Sequence, residues 1–105
     1  MSVIVDLSLF PIGKDESVSE HVARAVRIVR ESGLPHRLGP MGTAIEGEYD
    51  EVMAVVARCF KAMQADCGRV YMTLKVDGRA GRSGGLEQKV ADVEGRLNGR
   101  GAPKD

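Results

Sequence analysis

Two runs with a period of two constrain this chain more than anything else in it. In Val3 to Phe10 the odd positions are Val3, Val5, Leu7 and Leu9, while Asp6 and Ser8 fall between them. Much later, Val70, Met72, Leu74 and Val76 alternate with Tyr71, Thr73, Lys75 and Asp77. Strict alternation puts one set on each side of a β-sheet, because successive side chains of a strand point to opposite faces. The first set is core material. The second, with Asp, Ser, Thr, Lys and the aromatics Phe10 and Tyr71, is poorly suited to plain core and is equipped to hold a polar ligand.

Between these runs the pattern changes to helical spacing. Ser17-Val18-Ser19-Glu20 has the spacing of a capping box, so a helix is predicted to begin at about Val18. Its stripe is Val18, Val22, Ala25, Val26 and Val29, its solvated face carries Arg24, Arg27 and Arg30, and Gly33 suits its left-handed end. Leu34 to Leu38 reads as a short extended segment between Pro35 and Pro40, which favours a sheet edge. Pro40-Met41-Gly42 turns the chain into a second extended run, Thr43 to Glu48. Tyr49-Asp50-Glu51 opens another helix, with the stripe Val52, Val55, Val56, Cys59, Phe60 and Met63. After the last strand, Asp77 to Gly85 is rich in Gly, Arg and Ser and is expected to be too polar to pack. Gly81 to Gly85 lacks the Lys-Ser/Thr of a phosphate-binding loop. Leu86, Val90, Val93 and Leu97 then form the stripe of a short helix that must be buried somewhere, and Asn98 to Asp105 is expected to be a disordered tail.

The order β-α-β-β-α-β predicts an α+β, ferredoxin-like sandwich: a four-stranded antiparallel sheet with two helices on one face plus a C-terminal helix. Residues 1–97 form the expected domain. The other sheet face lacks a helical layer and exposes Ile4, Phe10 and Tyr71, which predicts a homo-oligomer.

Composition excludes several functions. Fifteen basic residues balance fifteen acidic ones, and no basic run exceeds two residues, so the electrostatic footprint of a nucleic-acid binder is missing. No apolar run approaches the ~20 residues of a spanning helix, and no leader pattern opens the chain; a cytoplasmic location is expected. Cys59 and Cys67 do not have metal-site spacing, with only His21 and His36 to join them, and no metal or cofactor is expected. Catalysis is not expected either: Asp6 and Glu46 offer a carboxylate pair, but no nucleophile sits beside a base.

The string Leu7-Ser8-Leu9-Phe10-Pro11-Ile12-Gly13, the segment Pro40-Met41-Gly42-Thr43-Ala44-Ile45-Glu46-Gly47-Glu48 with Asp50-Glu51-Val52, and the closing Lys75-Val76-Asp77 resemble the small thiamine-binding proteins of the UPF0045 or DUF77 type. The likeness runs from about residue 3 to residue 97. It implies a ferredoxin-like subunit, a homotetramer, and binding of thiamine or its hydroxymethylpyrimidine portion without turnover. The chain departs from the family in Gly78-Arg79-Ala80-Gly81-Arg82, where a more charged run is usual.

Thiamine is a cation with a flat aminopyrimidine, so it asks for a carboxylate, hydroxyl acceptors and a stacking surface. Asp6, Ser8, Phe10, Thr43, Glu46, Tyr71 and Thr73 supply these types and are the candidate ligand-binding residues, on the open sheet face at a subunit interface. Parity separates Thr43 from Glu46 unless a glycine marks a bulge, and Glu46 is assigned to the open face. A salt bridge from Asp6 to Lys75 is the competing use of that carboxylate. A structural or regulatory module without a small ligand is the alternative function.

Overall fold

The computed structural model describes residues 1–13 and 18–99. Strand β1 (Ser2–Pro11) leads to helix α1 (Val18–Glu31), strands β2 (His36–Leu38) and β3 (Thr43–Glu48), helix α2 (Tyr49–Gln64), strand β4 (Val70–Gly78) and helix α3 (Gly85–Leu97). The strands form one antiparallel sheet in the order β2-β3-β1-β4. This is the ferredoxin-like α+β arrangement that the alternation of elements predicts.

The odd residues of β1 pack against the helices. Val3, Val5, Leu7 and Leu9 are buried with Ala25 and Val29 of α1, Val52, Val55, Val56, Cys59 and Met63 of α2, and Ile45 of β3. Burying these apolar groups together is the main force behind the fold. Gly47 lies where β3 runs beneath α2: a Cβ there would come within 3.1 Å of Leu34 and 3.2 Å of Val52. Helix α1 ends as its sequence suggests, with Gly33 at φ 77°, a left-handed conformation that costs glycine nothing. The capping-box hydroxyl expected at Ser17 lies outside the described residues, as does the tail from residue 100.

Cys67 is buried just beyond α2, where its Sγ lies 3.8 Å from the Nδ1 atom of His21. Arg24, expected on a purely solvated face, instead pairs with Asp66 and approaches the same His21 nitrogen at 3.0 Å. This polar cluster ties α1 to the segment after α2.

Two expectations need correction. The Asp77 to Gly85 segment does pack: the Arg82 guanidinium donates to the Asp77 carboxylate at 3.1 Å and to its backbone carbonyl at 3.2 Å, and Gly85 is buried. Polar residues order a loop when they satisfy one another, and composition alone does not reveal the pairing. The stripe of α3 is not buried along its length. Leu86 is covered, but Val93 and Leu97 are 58% and 79% exposed, because the helix leaves the sheet after its first turn. Among the described residues, no helix is long and apolar enough to cross a membrane.

Candidate functional site

The strand register assigns each candidate residue to a face. Directly opposed residues of antiparallel strands share a face, and β1 pairs Ile4 with Glu46, Asp6 with Ala44, and Leu7 with Thr43, without a bulge. On its other side β1 pairs Asp6 with Lys75, Ser8 with Thr73, and Phe10 with Tyr71. Asp6, Ser8, Phe10, Glu46, Tyr71 and Thr73 therefore arise from the face opposite α1 and α2. Thr43 lies beneath the helical layer and is buried.

On the open face the rings of Phe10 and Tyr71 stack, with centroids 5.5 Å apart and planes inclined by 28°. Asp6 faces Lys75, whose Nζ lies 3.8 Å from its Oδ2. Both side chains are largely exposed, so the attraction is screened by water and small. Glu46 behaves differently. It is 6% exposed, and its carboxylate accepts hydrogen bonds from the backbone amides of Gly85 at 2.7 Å and Leu86 at 3.3 Å.

Those amides open α3, where unpaired N–H groups and the positive end of the helix dipole attract an anion. Gly84, the residue before the helix, has no side chain to cap it and adopts φ 69°. A carboxylate 39 residues earlier does the capping instead. Gly85 lets the helix approach so closely: a Cβ there would stand 2.9 Å from both Ile4 Cδ1 and Arg82 Nε. A second clamp holds the same end, as the Asp77 carboxylate accepts from Lys89 at 2.6 Å and from Arg82 at 3.1 Å. The Lys89 bond first, and then that of Arg82, holds the Asp77 carboxyl below its ordinary range. Sequence reading placed an acid on this face but had no signal for its partner, because an amide cap leaves no residue-type signature.

A pocket of about 280 Å³ opens at the end of the sheet on the helical side. Leu7, Leu9 and Thr43 form its floor, Val18 and Val22 of α1 one wall, and the Leu38 to Gly42 turn the other, with Ser8 and Phe10 at its margin. The pocket brings together Ser8, Phe10 and Thr43 from the candidate set. It leaves Glu46, Tyr71 and Thr73 elsewhere. Asp6 lies at the other side of Gly42, where a Cβ would be 3.0 Å from Asp6 Oδ1 and 3.0 Å from the Leu7 carbonyl. The missed contributors, Val18, Val22 and Met41, had one sequence signal: an apolar stripe that begins before α1 reaches the core. Met41 is 86% exposed at the rim.

Cys59 sits apart from this site. Its thiol is buried against the Ala25 carbonyl at 3.4 Å, and burial raises its pKa from 9.0 to about 11, with the Arg58 charge acting in the opposite sense. No group of three or more metal-ligating side chains occurs among the described residues.

A ferredoxin-like domain with a mostly apolar pocket, lined also by Ser8 and Thr43, defines a class of small α+β proteins. Residues 5–94 match the family model described as "Thiamine-binding protein", and the chain belongs to that family. It is 48% identical over 95 residues to a UPF0045 protein of Mycobacterium bovis, covering 90% of this chain and 93% of that one. Among solved structures, a hypothetical protein of Methanocaldococcus jannaschii superposes with a TM-score of 0.82 at 29% identity, covering 89% of this chain and 96% of that one. A Thermotoga maritima protein proposed for thiamine biosynthesis or salvage gives 0.79 at 27%, covering 89% and 99%.

Proposed function

We propose that this protein binds thiamine without turning it over, seating the aminopyrimidine ring in the pocket between the end of β1, the start of α1 and the β2–β3 turn. The observation that carries this reading is an apolar cavity with Thr43 in its floor and Ser8 and Phe10 at its margin, in a member of the thiamine-binding family. The apolar walls suit a flat methylated ring, and a few polar groups suffice to orient it. The Thr43 hydroxyl serves the ring's nitrogen edge, and the Asp6 carboxylate beyond Gly42 attracts the thiazolium cation at the mouth. Hydroxymethylpyrimidine alone fits the same requirement.

One further placement has an observation in its favour. The Phe10–Tyr71 stack, with Ser8, Thr73 and Asp6 beside it, offers a platform on the open face that a partner subunit would close. We infer that the protein works in the cytoplasm as a homo-oligomer, a tetramer by family resemblance, with neither nucleic acid nor membrane as partner.

Calorimetry with thiamine and with hydroxymethylpyrimidine separates the placements. Thr43→Val keeps the shape and removes the hydroxyl, so in the pocket reading it weakens binding by about 0.5–1.5 kcal/mol, roughly three- to tenfold. Tyr71→Ala then changes little. If Tyr71→Ala abolishes binding and Thr43→Val has no effect, the ligand lies on the open face. A parent protein that binds neither compound leaves a structural or regulatory module.

A further inference from the structure

Strand β1 is paired unequally along its two sides. β4 follows it from Val3 to Pro11, whereas β3 accompanies it only from Ser2 to Leu7. The hairpin between β2 and β3 reverses at Pro40-Met41, where the Gly39 amide donates to the Gly42 carbonyl at 2.8 Å, so β3 begins too late to reach further along β1. Continuing the register would set Met41 opposite Leu9, but Met41 belongs to the turn and is turned out to solvent. Residues 8–11 therefore have a free side, and Ser8, Leu9 and Phe10 line the pocket there.

In a strand the N–H and C=O of one residue point to the same side, and successive residues alternate sides. The Ile12 amide donates to the Arg69 carbonyl at 2.9 Å, just beyond β4, which turns the even residues of β1 towards β4 and the odd ones towards β3. β3 obeys the complementary parity, since its Glu46 amide donates away from β1 to the Pro35 carbonyl at 2.9 Å. Within residues 8–11 the free side thus receives the main-chain groups of Leu9 and Pro11. Proline has no N–H, so Pro11 leaves no donor there. Leu9 keeps both its N–H and its C=O, and among the described residues neither is hydrogen-bonded on that side. Leu9 is buried. Buried main-chain donors and acceptors are almost always partnered, so a pair that faces a cavity instead of a strand is a place for a ligand.

We propose that the Leu9 N–H and C=O form the recognition edge of the pocket and take the amidine edge of a 4-aminopyrimidine. The N–H donates to the ring nitrogen, and the carbonyl accepts from the neighbouring exocyclic amino group. This rests on the thiamine-binding reading above and names the groups that select the ring. The second ring nitrogen is left for the Thr43 hydroxyl. The order of donor and acceptor sets the specificity. In the 4-oxo counterpart a carbonyl oxygen replaces the amino group and the adjacent nitrogen carries a proton, so in the same pose donor meets donor and acceptor meets acceptor. A strand of another chain would use the same two groups, but Val18, Val22 and the Leu38 to Gly42 turn confine the cavity to about 280 Å³, which suits a single ring.

Calorimetry with hydroxymethylpyrimidine and its 4-oxo counterpart tests the edge, together with amide exchange and chemical shifts of the full chain by NMR. The 4-oxo compound should bind roughly a hundredfold more weakly or worse, because two buried groups are left unpaired. Hydroxymethylpyrimidine should slow exchange at the Leu9 amide and shift its resonance, while the amides of Val5 and Leu7, already paired with β3, change little. An ester in place of the Leu9 amide keeps the side chain and removes the N–H, and should weaken binding roughly tenfold. If hydroxymethylpyrimidine binds, its 4-oxo counterpart binds as tightly and the Leu9 amide is unmoved, the main-chain edge is overturned while the thiamine-binding reading stands. If neither thiamine nor hydroxymethylpyrimidine binds, both fall together.

Discussion

Thr43 and Glu46 come from one short strand, but opposite faces give them different work. Thr43 lines the pocket, while Glu46 is buried under α3 with its oxygens turned to two backbone amides. The two amides donate to different carboxylate oxygens, and a glutamine at 46 in the same pose puts a non-accepting NH2 group against one of them. Glu46→Gln should therefore lower stability by about 1–3 kcal/mol in urea denaturation and speed hydrogen exchange at Gly85 and Leu86. Unchanged exchange at both amides would dismiss the capping role. Cys59 allows a pH prediction of defined sign. Its folded pKa is raised from 9.0 to about 11, so the folded state holds the proton more tightly than the unfolded chain. The contribution to stability is complete below pH 9 and is lost as pH rises towards 11. Thermal unfolding between pH 8 and 11 should fall more steeply for the parent than for Cys59→Ala; parallel slopes would refute it.

Among the elements, α3 is the least supported. It is held at its first turn by Glu46, Leu86 and the Asp77 clamp, and its remaining length projects from the sheet. Because the Asp77 carboxyl is held below its ordinary value of 3.8, its clamp persists above that value and is lost as pH falls through the lower folded pKa. Exchange of the first-turn amides of α3 should stay constant from neutral pH to about pH 5, after correction for intrinsic rates, and rise below 3.8. Asp77→Asn should exchange faster already at neutral pH. A parent that loosens near pH 6 would point to another group. The stripe of α3 was legible as a helix signal, but its burial was not: periodicity shows which side is apolar and is silent on whether anything stands opposite.

As a whole molecule the chain spans 54 × 28 × 20 Å, and its radius of gyration is 15.9 Å. A compact chain of about 100 residues has a radius near 13 Å. This elongated shape, with half-exposed Met72 and Val76 at one edge and Val93 and Leu97 on α3, leaves apolar surface that association would remove. Ligand binding should register on the same scale. Thiamine at a hundred times its dissociation constant should stabilise the fold by about 2.7 kcal/mol, raising the melting temperature by roughly 10 °C or more in a domain of this size. No shift with thiamine, its phosphates or hydroxymethylpyrimidine would remove the ligand-binding reading.

Element order, the buried face of β1 and the two main helices were determined by the sequence itself, because periods of two and 3.6 are local properties of the chain. Val3, Val5, Leu7 and Leu9 announce their face without reference to any partner, and the parity of Thr43 against Glu46 follows from the pleat alone. The tertiary structure decided what those side chains meet. Glu46 finds amides 39 residues away, Arg82 finds Asp77, and the pocket forms where the ends of β1, α1 and the β2–β3 turn converge. Backbone donors carry no residue identity, and a cavity is the space between elements, so neither is written in any one segment of the chain.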